Sequence, residues 1–406
     1  MNQHGTVIIG GGNAGFQVAD TLRKGGYDGP VTLLCAEKSL PYQRPPLSKK
    51  FLAGDMAEER LLLRPAKYYD DRNITVIRGC EVTGITLDEK QVQCADGRHY
   101  EFDKLVFATG ARVRRLPMEG ASGLLYLRTS DDVKSISKAV QNIDDVLLIG
   151  GGFIGLEVAA TLRGLGKSVT VVEAMPTIMP NVVGAVLAEY FTGYHRSSGT
   201  KIITNTAVET IERLKSGRYS VCLSDGSTRK AGAVIVGIGV IPNSELAAGI
   251  GLEVGRGIIV DEYGCTATPD VFAAGDCAHG VNLWVGGPVH LESVQNAVDQ
   301  AITVGKSILG EKLPYETVPW FWSDQYDLKL QMAGLSRGHD SHVVRGSLAD
   351  NRFSICYFSK GSLIAVDSVN RPADHLGARK LLAARTKISP AQGADIETPL
   401  KAFLTK

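Results

Sequence analysis

The chain has 406 residues, too many for one compact core and enough for two or three domains of roughly 150 residues. Its 44 basic side chains nearly cancel its 43 acidic ones, which excludes a general nucleic-acid binder. At 44% apolar and 21% charged it reads as a soluble globular protein, and its longest apolar run, AVIVGIGVIP, is about half of the roughly 20 residues a membrane span needs.

The opening MNQHGTVIIGGG enters a strand almost at once with no basic, apolar leader, as expected of a cytoplasmic protein. Short apolar or β-branched runs at 6–9, 31–35, 74–78 and 104–108 alternate with helix-like stretches such as 15–24, the pattern of a parallel sheet. TGARVRRLP at 109–117 reads as a crossover. The same order restarts at 146–149, 169–172 and 234–238, and GIGVIPN at 237–243 marks the return. From about 315 the texture changes: strand-like runs at 328–333, 341–346, 352–358 and 362–369 and a helix-like stretch at 375–386 predict an antiparallel α+β domain.

Two glycine loops stand out against this frame. Gly10, Gly12 and Gly15 in IIGGGNAG follow one strand and open a helix at Asn13 and Ala14, and Glu37 ends the next strand. Gly150, Gly152 and Gly155 repeat the arrangement around Phe153 and Ile154, with Glu173 18 residues after the last glycine. Such glycines permit a tight turn and close backbone approach to a pyrophosphate. The helix N-terminus adds free N–H groups and partial positive charge, and the carboxylate can take a ribose hydroxyl. Glu173 suits a free 2′-hydroxyl and repels a 2′-phosphate, and the run AMPTIMPN that follows holds no Lys or Arg, so NADH is expected over NADPH.

A third signal is TPDVFAAGDC at 268–277, where Gly275 allows close approach and Asp276 offers a carboxylate to a polyol. Apolar residues at 294, 297, 298, 301, 304 and 308 then predict a helix with Ser293 at its N-cap.

Together these motifs, with LVFATG and FAAGD, resemble the two-dinucleotide flavoprotein reductases, which hold FAD on the first loop and NAD(P)H on the second. RPPLSKKFL (44–52), GGGFIGLEVAA (150–160), ESVQNA (292–297), PWFWSDQY (319–326) and VDSVNRP (366–372) narrow the resemblance to the putidaredoxin reductase-like ferredoxin reductases of aromatic-ring dioxygenases. It implies two Rossmann-like domains of glutathione-reductase-like fold plus an α+β interface domain: FAD at 1–110 and 240–314, NADH at 111–239, and the interface domain at 315–406. It further implies that Lys49 sits near the flavin N5 and pairs with Glu157, that Arg44 lies near the pyrophosphate, and that Trp322 covers the nicotinamide or flavin face. Val82, Ala108, Thr109, Gly110, Arg128, Asp276, Glu292, Ser293 and Val294 are implied at FAD, and Gly237 and Gly239 at the second nucleotide. Relatives often carry an Arg where this chain has Thr177, which bears on the grip on adenosine.

The seven cysteines are scattered with no CxxC and no metal-ligand spacing, and each reads as an inert thiol. None follows the first loop within KSLPYQRPPLSKKF, which disfavours disulfide and peroxidase chemistry. The expectation is therefore direct transfer: hydride from NADH to FAD, then single electrons to an acidic 2Fe-2S ferredoxin feeding a cytochrome P-450 or dioxygenase system. Arg64, Arg114, Arg115, Lys329, Arg371, Arg379 and Lys380 are candidate docking charges. No membrane or nucleic-acid partner is expected, and the protein is expected to be a monomer. The alternatives are a rubredoxin reductase and an NADH-sensing flavoprotein resembling apoptosis-inducing factor.

Overall fold

The computed structural model describes residues 4–180 and 182–404, which form two compact units. The first comprises the described residues of Met1–Gln43, Glu59–Arg112 and Ile241–Pro319. Its centre is a five-stranded parallel sheet in the order Val271–Ala273, Lys104–Phe107, Thr6–Ile9, Val31–Cys35, Ile74–Arg78. Strand Thr6–Ile9 is buried along its whole length, as a parallel strand covered on both faces must be. It pairs with one neighbour on each side, and its C-terminal end is the switch point where open α/β sheets bind ligands. Helices Asn13–Lys24 and Val294–Ile308 pack on each other, and Val18, Leu22, Ala301 and Val304 share one core cluster.

The second unit comprises Arg44–Glu58, Val113–Val240 and the described residues of Trp320–Lys406. It repeats the parallel sheet, in the order Lys201–Ile203, Ser168–Val172, Asp145–Ile149, Ala233–Val236, Leu125–Tyr126. It also contains an antiparallel five-stranded sheet in the order Trp320–Gln325, Leu328–Gly334, Ser362–Val369, Arg352–Ser359, Ser341–Ser347. The four strands expected after 315 are all present, and PWFWSDQY supplies a fifth at the edge. Helix Pro372–Ala383 follows the last strand.

The reading of all cysteines as free thiols needs correction. Cys80 and Cys94 form a disulfide, with Cα atoms 6.0 Å apart. Strand Gln91–Cys94 pairs with Val82–Thr86 so that Cys94 stands opposite Val82, two residues past Cys80. Both cysteines are buried in the first unit's core. The other five described cysteines are free. Among the described residues no helix is long and apolar enough to cross a membrane, and no group of three metal-binding side chains occurs.

Candidate dinucleotide sites and a buried ion pair

The two loops share one backbone design. Gly10 and Gly150 have φ of 118° and 106°, and a Cβ there would lie 2.1 Å from the Ala108 oxygen and 2.3 Å from the Gly237 oxygen respectively. A Cβ on Gly15 or Gly155 would strike the Gly10 or Gly150 oxygen at 1.9 and 2.4 Å. These four glycines are required by the protein's own packing. Gly12 and Gly152 are not: a Cβ on either meets no heavy atom within 4 Å. Each is the N-cap of its helix, with no capping side chain and no acid in the first turn. The glycine the fold does not need is thus the one at the helix N-terminus, where free N–H groups and the helix dipole favour an anion.

Both carboxylates are held by groups of the chain itself. Glu37 is half-buried and its Oε2 accepts from the Tyr42 hydroxyl at 2.5 Å. Glu173 is buried, with Oε2 accepting from Gly151 N at 2.7 Å and Oε1 from Met175 N at 2.8 Å. A carboxylate has about four acceptor sites, so two remain for a ribose. Thr177 is exposed in the run 174–181, whose last residue lies outside those described.

In the first unit, Gly275, the residue before Asp276, has φ of 84° and tucks against Ala14 and Ala297 of helices Asn13–Lys24 and Val294–Ile308. The His290 ring donates to the Asp276 carbonyl at 2.9 Å, and its other nitrogen lies 3.8 Å from Glu292. Ser293 caps its helix through Asn296 N at 3.0 Å, as expected. Thr109 donates to the Asn243 carbonyl at 2.6 Å and Gly110 accepts from Asn243 N at 2.9 Å, which fixes the ATG turn beneath the loop. Val82 begins its strand, partly buried against the core. The free cysteine nearest the loop is Cys35, beneath Gly11; burial pushes its thiol up to about 12, which removes it as a nucleophile.

In the second unit, Gly237 backs the glycine loop and Gly239 accepts from Arg114 N at 2.9 Å. Ile154 is among the more exposed apolar residues. Arg44 donates to the Arg128 carbonyl at 2.6 Å, and Asp132 ties down the Arg128 and Thr129 amides.

Helix Phe153–Gly164 carries a stripe at i, i+4 and i+8. Phe153 packs on Phe321 with ring centroids 4.7 Å apart, and Thr161 donates to the Ser48 carbonyl at 2.7 Å. Between them, Glu157 is buried and meets Lys49 Nζ at 2.6 Å. The implied pair is therefore formed. Ser48 donates to Glu157 Oε2 at 2.5 Å and Ser323 to Oε1 at 2.7 Å. Neither serine was singled out from the sequence, although Ser48 adjoins Lys49 and Ser323 adjoins Trp322. Because side chains alternate along a strand, Trp322 turns away from this pair; it lies 5.5 Å from Trp320, whose ring carries the Arg379 guanidinium at 4.6 Å. Among the candidate docking charges, Arg371 is turned inward onto Asp374, and Arg64 and Arg115 lie over tyrosine rings.

Rhodocoxin reductase of Rhodococcus erythropolis is 46% identical over 402 residues, covering 98% of this chain and 94% of that protein. The crystal structure of a ferredoxin reductase for the CYP199A2 system from Rhodopseudomonas palustris superposes with a TM-score of 0.95 at 43% identity, covering 98% of this chain and 99% of that one. That of the covalent putidaredoxin reductase–putidaredoxin complex gives 0.94 at 38%, covering 98% and 97%. Residues 320–404 match the Reductase C-terminal family. With residues 4–301 matching its profile, the chain belongs to the Pyridine nucleotide-disulphide oxidoreductase family.

Proposed function

We propose that the chain is an NADH-dependent ferredoxin reductase containing FAD. It takes a hydride from NADH and delivers two single electrons to a small, acidic 2Fe-2S ferredoxin that serves a monooxygenase or a ring-hydroxylating dioxygenase. The observation that carries this reading is the doubled glycine loop with an open second glycine in each copy. A relative named for reducing rhodocoxin and another solved with putidaredoxin bound to it support the acceptor class. Bound FAD supplies the chemistry that joins an electron pair to single-electron steps.

The residues divide the work. Gly12, Glu37 and Asp276 hold the FAD of a domain at 1–110 and 240–314. Gly152 and Glu173 hold NADH in a domain at 111–239, and Glu173 repels a 2′-phosphate. Lys49, fixed by Glu157, and Trp322 act at the hydride step. A cation held at one position favours negative charge as the electron pair arrives, and a carboxylate partner keeps it in place. Residues 315–406 dock the ferredoxin, with Arg379 and Lys380 among the steering charges. The protein works as a cytoplasmic monomer, where NADH is the available reductant.

Turnover tests the reading. NADH should exceed NADPH in kcat/KM by about tenfold, the effect of about 1.4 kcal/mol. A 2Fe-2S ferredoxin should be a better acceptor than rubredoxin or dioxygen. Faster rubredoxin reduction would make this a rubredoxin reductase. Slow turnover with every acceptor, with a long-lived reduced complex with NAD⁺, would make it an NADH sensor.

A further inference from the structure

A thread of polar side chains runs through the core of the second unit and ends on Glu157. Ser323 Oγ donates to Glu157 Oε1 at 2.7 Å, and Gln325 Nε2 donates to Ser323 Oγ at 3.1 Å. Gln325 Oε1 meets His195 Nε2 at 2.7 Å. His195 Nδ1 lies 3.5 Å from the Tyr326 hydroxyl, which lies 2.8 Å from Thr200 Oγ1. Ser323, Gln325 and His195 are each wholly buried, at 0% exposure. Buried polar side chains left unpaired cost about 1–3 kcal/mol each, so valine or leucine would make the safer core. Yet every member here is paired: the orphaned buried side-chain atoms among the described residues lie elsewhere.

The donors fix the thread's polarity. Gln325 gives its amide hydrogen to Ser323, so its oxygen must accept from His195. His195 therefore carries its proton on Nε2, and Nδ1 is left to accept from Tyr326. Burial holds the imidazole below its ordinary pKa, which keeps this neutral form. All donation thus points one way, toward the Glu157 carboxylate, and hydrogen bonds to a carboxylate stabilise its charge and its orientation. A proton relay is excluded by Gln325, since an amide does not hand protons on. The backbone is committed to the arrangement as well: Tyr326 has φ of 57°, a left-handed conformation unusual for a bulky residue.

We infer that Ser323, Gln325 and His195 are positioning residues that hold the Glu157 carboxylate in the orientation that fixes Lys49. The inference rests on the reading that the Lys49–Glu157 pair acts at the hydride step. Four stretches of chain distant in sequence thereby meet at one ion pair, and Trp322 is carried on the strand that supplies two of the three positioning residues.

The test uses the holoenzyme, following flavin bleaching by NADH in rapid mixing. Ser323→Ala should slow the limiting rate about tenfold, as expected for loss of a hydrogen bond to a charged group, and Gln325→Leu, which frees the Ser323 hydroxyl, should slow it by a smaller factor, while NADH affinity changes little. Ser323→Thr, which keeps the hydroxyl, should restore most of the rate. In a Glu157→Gln background neither variant should slow the reaction further. An independent, multiplying loss in that background, or failure of Ser323→Thr to rescue, overturns the inference. A second readout needs no turnover: ¹⁵N NMR of histidine-labelled protein should show His195 as the neutral Nε2–H tautomer at neutral pH, altered by Gln325→Leu. A protonated or Nδ1–H His195 overturns the inference too. Should Glu157→Gln alone leave the limiting rate unchanged, the pair's role in hydride transfer fails, and the positioning claim is then decided by the NMR result.

Discussion

At Gly12 and Gly152 an added methyl group would touch no protein atom, whereas at Gly10 it would lie 2.1 Å from a backbone oxygen. A Cβ therefore separates two jobs that the GxGxxG spacing merges. Gly12→Ala and Gly152→Ala should fold with unchanged circular dichroism, because both positions have negative φ and an added methyl group meets no protein atom, although Ala is the poorer N-cap by about 1 kcal/mol. Gly152→Ala should weaken NADH binding about tenfold, a loss of about 1.4 kcal/mol, and leave bound flavin intact. Gly12→Ala should do the reverse, yielding protein depleted of flavin. Gly10→Ala should instead lower thermal stability, since φ of 118° is strained for any side chain. Unchanged cofactor binding in both Gly12→Ala and Gly152→Ala would mean that the open space holds no pyrophosphate. The glycines and the two carboxylates were legible in the sequence. Which glycine faces a ligand was not, because that depends on where the Ala108 and Gly237 carbonyls point.

Strands show where patterning reads well and where it fails. The parallel strands were legible because burial on both faces makes them continuous apolar runs. Strand Trp320–Gln325 was not, since three aromatics in WFW conceal the alternation. The small antiparallel sheets were missed as well, being short and largely polar, as in VETIER at Val208–Arg213. Nor does a 14-residue spacing announce the Cys80–Cys94 disulfide; the strand pairing creates it. The C-terminal sheet also carries a buried charge problem. Asp367 is 1% exposed, one of its oxygens and the Tyr357 hydroxyl have no hydrogen-bond partner, and burial pushes its carboxyl up to about 7. Its folded pKa lies above the unfolded value, so its contribution is fully present below the unfolded pKa and lost as pH rises through about 7. His375 behaves oppositely: burial lowers its pKa to about 4, so its contribution is present above the unfolded value and lost as pH falls through about 4. Asp367→Asn removes only the first dependence. Relative to the parent, the variant should gain stability between pH 5 and pH 8, by about 4 kcal/mol at most, as read from melting temperatures. A pH-independent difference would contradict the assignment.

Over the whole molecule, the doubled loop architecture was plain in the sequence, while the machinery proposed for hydride transfer was scattered through it. Lys49 comes from 44–58, Glu157 from the helix after the second glycine loop, and Ser323 from the antiparallel sheet, and all three belong to one compact unit. Only the resemblance linked the first two, and nothing in the sequence linked His195 to them. The thiols complete the picture. Burial pushes Cys35 and Cys356 up to about 12 and Cys265 up to about 11, and raises Cys277 as well, which leaves no activated thiolate among these four to take electrons from a bound flavin. The central claim is that the electron pair entering from NADH leaves as single electrons to a 2Fe-2S ferredoxin. Anaerobic double-mixing tests it directly: the holoenzyme is first reduced with one equivalent of NADH and then mixed with excess oxidised 2Fe-2S ferredoxin. The account predicts rapid flavin reoxidation with two ferredoxins reduced per flavin, slowed by added salt. Reoxidation no faster than in the absence of ferredoxin, or unaccompanied by ferredoxin reduction, would contradict it.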